Sequence, residues 1–208
     1  MQLLAMLTML IDHVGLVFFP EQEIWRIIGR IAFPLYVYAL VQGYTRTSSR
    51  SRYIMRLGVI ALLSQIPYQL ALDSSGLNVV VSLLAGVFVL LILDRTESML
   101  ISVLIVAVAS FVMDFIPFDY GAYGLLLILI FRYAPLHLLV WWHFLLNILF
   151  LFLNGWVLQL WSILPTVIFV YGDVLWRRLE LLRVRSWVWR SFYPVHLSLL
   201  AILQWWKY

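Results

Sequence analysis

The sequence predicts an all-α, polytopic integral membrane helix bundle of about nine transmembrane helices with a cytoplasmic N-terminus. Three observations carry that prediction. Hydrophobic residues make up 64% of the 208 residues and charged ones only 12%, about half the charged share with which a soluble domain wets its surface. Apolar runs approaching the ~20 residues that cross a bilayer recur along the whole chain. The basic residues fall in alternate breaks between those runs, as the positive-inside rule requires. Cysteine is absent, which excludes disulfide scaffolds, thiolate metal sites and cysteine nucleophiles.

The runs lie near 3–19, 25–43, 57–72, 77–93, 98–115, 118–133, 136–153, 156–172 and 191–206. The breaks carry turn chemistry or charge: Phe19-Pro20-Glu21, Arg46 through Arg56, Asp73-Ser74-Ser75-Gly76, Asp94-Arg95, Pro117, Arg132 to Pro135 and Asn154-Gly155. None is long enough for a soluble domain, so residues 1–208 read as one domain. Residues 3–19 lack a basic n-region and a small-x-small cleavage site, and read as a retained helix rather than a signal peptide. The weakest span is 118–133, which holds Asp119, Gly121 and Gly124.

Orientation follows from the arginines. Placing Arg46, Arg50, Arg52 and Arg56 in the cytoplasm puts Arg95, Arg132, Arg177, Arg178, Arg183, Arg185 and Arg190 there too, eleven of the fourteen Lys and Arg residues. The net charge of +4 is then a matter of topology, and no nucleic-acid partner is implied. The five arginines between 177 and 190 exceed what orientation needs. They suit either a segment lying on anionic lipid or a phosphate site.

Charge at membrane depth is costly and marks candidate function. The first run holds Asp12 and His13 near the midplane, and the second holds Arg26 and Arg30, four apart on one face. Asp12 and His13 point about 100° apart on a helix, so Asp12 is expected to pair across helices with Arg30 and leave His13 facing a cavity. Pro34, four residues after Arg30, is expected to kink the second span there. Polar stripes also occur in later runs: Asn78 with Ser82; Ser102, Ser110 and Asp114; His143 with Asn147; Gln159, Ser162 and Thr166. Residues of this kind commonly serve helix packing. No metal motif, Walker A loop or nucleophile elbow is present.

Several segments resemble the TraX family, named for F-pilin acetylation. They are Ala5-Met6-Leu7-Thr8-Met9-Leu10-Ile11-Asp12-His13-Val14-Gly15, Ile28-Gly29-Arg30-Ile31-Ala32-Phe33-Pro34 and Gln42-Gly43-Tyr44-Thr45-Arg46-Thr47. Ser64-Gln65-Ile66-Pro67, Leu77-Asn78-Val79, Asp119-Tyr120-Gly121-Ala122-Tyr123-Gly124 and Phe192-Tyr193-Pro194-Val195-His196-Leu197 continue the match to nearly the end of the chain. The resemblance implies a multi-pass enzyme of the bacterial inner membrane. It would move an acetyl group from cytosolic acetyl-CoA to an extracytoplasmic amine or hydroxyl, on a protein N-terminus or a surface glycan. A catalytic histidine in an early span matches His13.

On this reading His13 is the general base, with Asp12 and Arg30 beside it. His196, Asn78 and Asp119 are second candidates for the catalytic site, and Arg30 or Asn78 would meet the oxyanion. The CoA phosphates would bind Arg46, Arg52, Arg56, Arg177, Arg178, Arg183 and Arg185. No metal is expected. The competing class is a small transporter or channel for a polar solute or proton, with Asp12, His13 and Arg30 as its relay. The absence of an internal repeat counts against it.

Overall fold

The computed structural model describes residues 1–182 and 184–206, and Arg183 therefore lies outside the described residues. Within them the protein is all-α, with one isolated bridge between Leu77 and Phe118. In chain order the helices are α1 (Gln2–Phe18), α2 (Glu23–Gly29), α3 (Ala32–Arg46), α4 (Arg50–Leu72), α5 (Val79–Leu93), α6 (Met99–Phe115), α7 (Gly121–Tyr133), α8 (Leu139–Asn154), α9 (Ile163–Tyr171), α10 (Asp173–Leu181) and α11 (Ser186–Trp205). Short 3₁₀ segments, Leu136–Leu138 and Val157–Ser162, lead into α8 and α9.

Local chemistry sets most boundaries. Ser49, Ser98 and Asn78 cap α4, α6 and α5 with side-chain oxygens. Gly155 ends α8 at φ +69°, a left-handed position that costs glycine nothing. The first turn of α7 borrows its cap from a neighbour: Ala122 N donates to Asp114 Oδ1 of α6 at 2.7 Å. Asp114 is thereby committed to helix capping.

Two boundaries differ from the sequence-based expectation. The second run does not bend at Pro34; the helix breaks at Arg30 and Ile31, and Pro34 falls in the first turn of α3. There its missing N–H has no intrahelical acceptor to lose. The basic segment 50–56 is the opening of α4 rather than a loop, and a further short helix, α10, follows Gly172.

Loop contacts sort the helix ends into two groups. Asp94 pairs with Arg50 at 3.0 Å and Arg132 at 3.7 Å and accepts a hydrogen bond from the Tyr44 hydroxyl at 2.7 Å, gathering ends of α3, α4, α5 and α7. Gln2 Oε1 accepts from Val184 N at 3.1 Å, and Tyr38 donates to Glu180 at 3.3 Å, so the start of α1 and the α10–α11 connection share this arginine-rich end. At the opposite end the Leu77–Phe118 bridge ties the loop before α5 to the loop before α7. Gln65 Nε2 donates to the Gly76 carbonyl at 2.8 Å beside it.

Polarity is arranged inside out. Asp12, His13, Asn78, His143, Asn147, Gln159 and His196 are buried, whereas Leu62, Phe115, Phe152 and Trp205 are 78–82% exposed. Such a surface suits hydrocarbon, not water. Glu23–Arg46, Arg50–Leu72 and Leu136–Asn154 are long and apolar enough to cross a membrane, and the bent pair Val157–Tyr171 with Asp173–Leu181 makes a fourth candidate. Helices α1, α5, α6 and α7 are apolar but shorter, at 13–17 residues.

Candidate functional site

The site begins with two glycines that let α1 and α2 touch. A Cβ on Gly29 would lie 2.0 Å from Asp12 Oδ1 and 2.4 Å from Asp12 Cβ; one on Gly15 would lie 2.1 Å from Trp25 Cβ. This close approach seats Asp12 against the basic face of α2. Its carboxylate meets Arg26 Nη1 at 2.8 Å and Arg30 Nη2 at 3.4 Å. The pair with Arg30 that the sequence predicts is present, and Arg26 is a second and nearer partner. Both arginines come from adjacent turns of one helix face, and either one alone would leave the other cation unpaired. Gly29→Ala is expected to force the helices apart at a cost of about 1–3 kcal/mol. A lower midpoint of thermal unfolding in detergent would register it; an unchanged midpoint would contradict this packing.

Arg30 spends its donors inside the protein. Nη2 reaches Asp12, Nη1 donates to Gln159 Oε1 at 3.2 Å, and Nε donates to the Arg26 carbonyl at 3.4 Å. Its guanidinium also lies 5.7 Å from the Tyr120 ring centroid, and Tyr120 stacks on Phe33 at 3.9 Å. Tyr120 holds φ +63°, while its neighbour Asp119 is tied by backbone bonds to Leu77 and Ser82. This loop holds Asp119 in the lining of a cavity that Asp12 and Arg30 also line.

His13 turns away from Asp12, as the 100° rule requires. Its Nδ1 lies 2.8 Å from Nε2 of His196 on α11, and His196 Nδ1 lies 2.7 Å from the Phe192 carbonyl. Two residues 183 positions apart therefore form a buried pair. Tyr193 flanks it, with ring centroids 6.3 Å from His13 and 5.6 Å from His196.

Two cavities lie toward opposite ends of the bundle, His13 lining one and Tyr193 the other. One, of about 820 Å³, opens at the end away from the arginine clusters and is lined by Asp12, His13, Glu23, Arg26, Arg30 and Asp119 among others. The second, of about 510 Å³, opens at the arginine-rich end between Arg46, Arg56 and Arg190 and runs inward past Tyr36, Tyr53 and Tyr193. Met9 and Val79 line both. The Tyr36 and Tyr193 hydroxyls in the second cavity are buried and have no acceptor for their protons among the described residues.

Other candidates fall elsewhere. Asn78 is fully buried as the α5 cap: Oδ1 accepts from Val80 N and Val81 N, and Nδ2 donates to Ala61 O and Gln65 Oε1. Both amide protons are taken, so Asn78 has none left for the oxyanion expected of it from the sequence. Of the expected phosphate arginines, Arg46 and Arg56 line the second cavity. Arg52, Arg177, Arg178 and Arg185 are exposed and do not line it. His143, Asn147, Ser162, Thr166 and Tyr123 form a separate buried cluster, with His143 Nδ1 2.7 Å from Thr166 Oγ1 and the Tyr123 hydroxyl donating to Asn147 Oδ1 at 2.9 Å. These bonds join α7, α8 and α9, an interior packing role.

Sequence reasoning missed Tyr36, Tyr193 and the partnership of Gln159 with Arg30. Tyr193 carried a signal, since it stands three residues before His196 and shares its helix face. Gln159 stood out as a polar residue in an apolar run, but nothing in the sequence tied it to Arg30, and Tyr36 carried no signal.

A model of the TraX family, described as "TraX protein", matches residues 1–204. An uncharacterized protein of Rickettsia prowazekii (strain Madrid E) is 46% identical over 57 residues, 27% of this chain and 22% of that protein's length. The chain thus spans about a fifth of the curated relative it matches. No solved structure matches.

Proposed function

The chain belongs to the TraX family, and from that premise we propose that it is a membrane-embedded acetyltransferase. It moves an acetyl group from cytosolic acetyl-CoA to an amine or hydroxyl on the far side of the bacterial inner membrane. The observation that carries this reading is the pair of cavities toward opposite ends of the bundle that share Met9 and Val79 as a common wall, with His13 lining one of them. In this reading α1, α2 with α3, α4, α5, α6, α7, α8, α9 and α11 make nine passes, and the arginine-rich end is cytoplasmic.

The donor enters the arginine-lined cavity. Arg46, Arg56 and Arg190 stand at its mouth, suited to the phosphates. The narrow interior suits a pantetheine arm, and the thioester ends near Tyr193. The acceptor takes the opposite cavity, where Glu23 and Asp119 favour a cationic amine and Asp12 with its arginines forms one wall. Neutral His13 removes the acceptor's proton as its nitrogen or oxygen attacks the thioester carbon. The tetrahedral intermediate collapses, the carbon–sulfur bond breaks, and the proton held by His13 passes to the departing thiolate.

The oxyanion needs a donor at hand. Arg30 is committed to Asp12 and Gln159, whereas the Tyr193 hydroxyl has its proton to give. Tyr193→Phe is therefore expected to lower kcat by about 10²–10³-fold with little change in KM for acetyl-CoA. A KM effect alone would argue for a binding role instead.

Calorimetry with acetyl-CoA on the purified protein tests the reading. Binding that weakens strongly in Arg46→Ala/Arg56→Ala supports it. Absence of binding, together with solute movement by reconstituted protein without CoA, would favour a transporter.

A further inference from the structure

We propose that His196 is a positioning residue: it holds His13 in the Nδ1–H tautomer, so that the bare Nε2 of His13 is the atom that accepts the substrate proton. The inference rests on the acetyltransferase reading only for the role of His13; the tautomer itself follows from geometry.

The chain of bonds has one direction. The Phe192 carbonyl only accepts, so the proton in its 2.7 Å contact belongs to His196 Nδ1. In the neutral state that general-base chemistry needs, each imidazole carries one N–H. His196 Nε2 is then a lone pair, and the His13 Nδ1 facing it at 2.8 Å must carry the proton. That leaves His13 Nε2 unprotonated. No group among the described residues bonds this nitrogen, and His13 lines the acceptor cavity.

The ring geometry supports a bond rather than a stack. The two imidazoles are tilted by only 6° with centroids 5.0 Å apart. This is the separation of coplanar rings joined head-on by a short N–H···N bond. Phe192 lies flat against His196 at 4.4 Å and 13°, fixing its plane. His196 cannot itself serve as the base in this arrangement, because both of its nitrogens are engaged. The arrangement parallels the logic of a triad, in which a third group fixes the tautomer of the working histidine. Here a backbone carbonyl and a second imidazole replace the acid, and Asp12 is left to the arginines.

The test is ¹⁵N NMR of the full-length protein in lipid, labelled at its four histidines and assigned with His13→Gln and His196→Gln. Wild type is expected to report Nδ1 protonated and Nε2 bare at His13. In His196→Ala the ring should revert to the Nε2–H tautomer that a free histidine side chain favours, and kcat should fall about 10²-fold or more with KM for acetyl-CoA unchanged. His196→Gln, whose Oε1 can accept from His13 Nδ1–H, should keep the wild-type tautomer and recover activity to within about tenfold of wild type. Wild-type His13 protonated at Nε2, or a tautomer indifferent to His196→Ala, would overturn the proposal. The expected tautomer in a wild-type protein that neither binds acetyl-CoA nor transfers acetyl would leave the tautomer assignment intact and refute the acetyltransferase reading, whereas full activity in His13→Gln would remove His13 as the base and overturn the role proposed for His196.

Discussion

Replacing His13 with Gln is expected to reduce acetyl transfer by about 10²–10⁴-fold, the range in which a positioned general base operates. The loss should appear in kcat, because His13 lines the cavity proposed for the acceptor and is absent from the lining of the one proposed for the donor. Acetyl-CoA binding should persist. Steady-state kinetics beside a binding isotherm separates the two quantities. A variant that binds acetyl-CoA normally and turns over at the wild-type rate would remove His13 from the chemistry.

The second large effect is on stability. Asp12→Asn is expected to destabilise the protein by about 3–5 kcal/mol. Asp12 and Arg30 keep only 11% and 13% of their side-chain surface exposed, and Arg26 keeps 28%. Removing one anion strands two cations in the interior, so the penalty exceeds the net worth of the pair. The double variant Asp12→Asn/Arg30→Gln should recover part of the loss, since only Arg26 then remains uncompensated. Thermal unfolding in one fixed detergent measures both. A cost below about 1 kcal/mol would mean that the pair behaves as an exposed one.

What the sequence made legible follows the range over which each force acts. Asp12, His13, Arg26 and Arg30 could be read because buried charge is rare and helical spacing is short-range. The divergence of Asp12 from His13 likewise followed from 100° per residue. The direct bond between His13 and His196 had no such signal, because nothing local ties α1 to α11. The pairing of Asp12 with Arg30 was legible, but the added contact with Arg26 was not, because Gly29 sets how closely α2 approaches and a glycine's spacing role depends on what faces it. The break after Arg30 was assigned to Pro34, although proline in a first turn is compatible with a helix beginning just before it. Asn78 looked like a free polar side chain at membrane depth; the capping bonds that consume it depend on Gln65 and Ala61 of α4. The cavities themselves, and the unused hydroxyls of Tyr36 and Tyr193, are properties of packing and had no counterpart in composition or period.

The central claim is that acetyl groups pass from one side of the bilayer to the other through the His13 junction. Inverted inner-membrane vesicles carrying the protein expose the proposed cytoplasmic face. Given acetyl-CoA labelled in the acetyl group, they are expected to accumulate label on an acceptor in the vesicle lumen, and vesicles carrying His13→Gln are expected to accumulate almost none. Equal labelling with wild type and His13→Gln, or label that stays on CoA in both, would contradict the account.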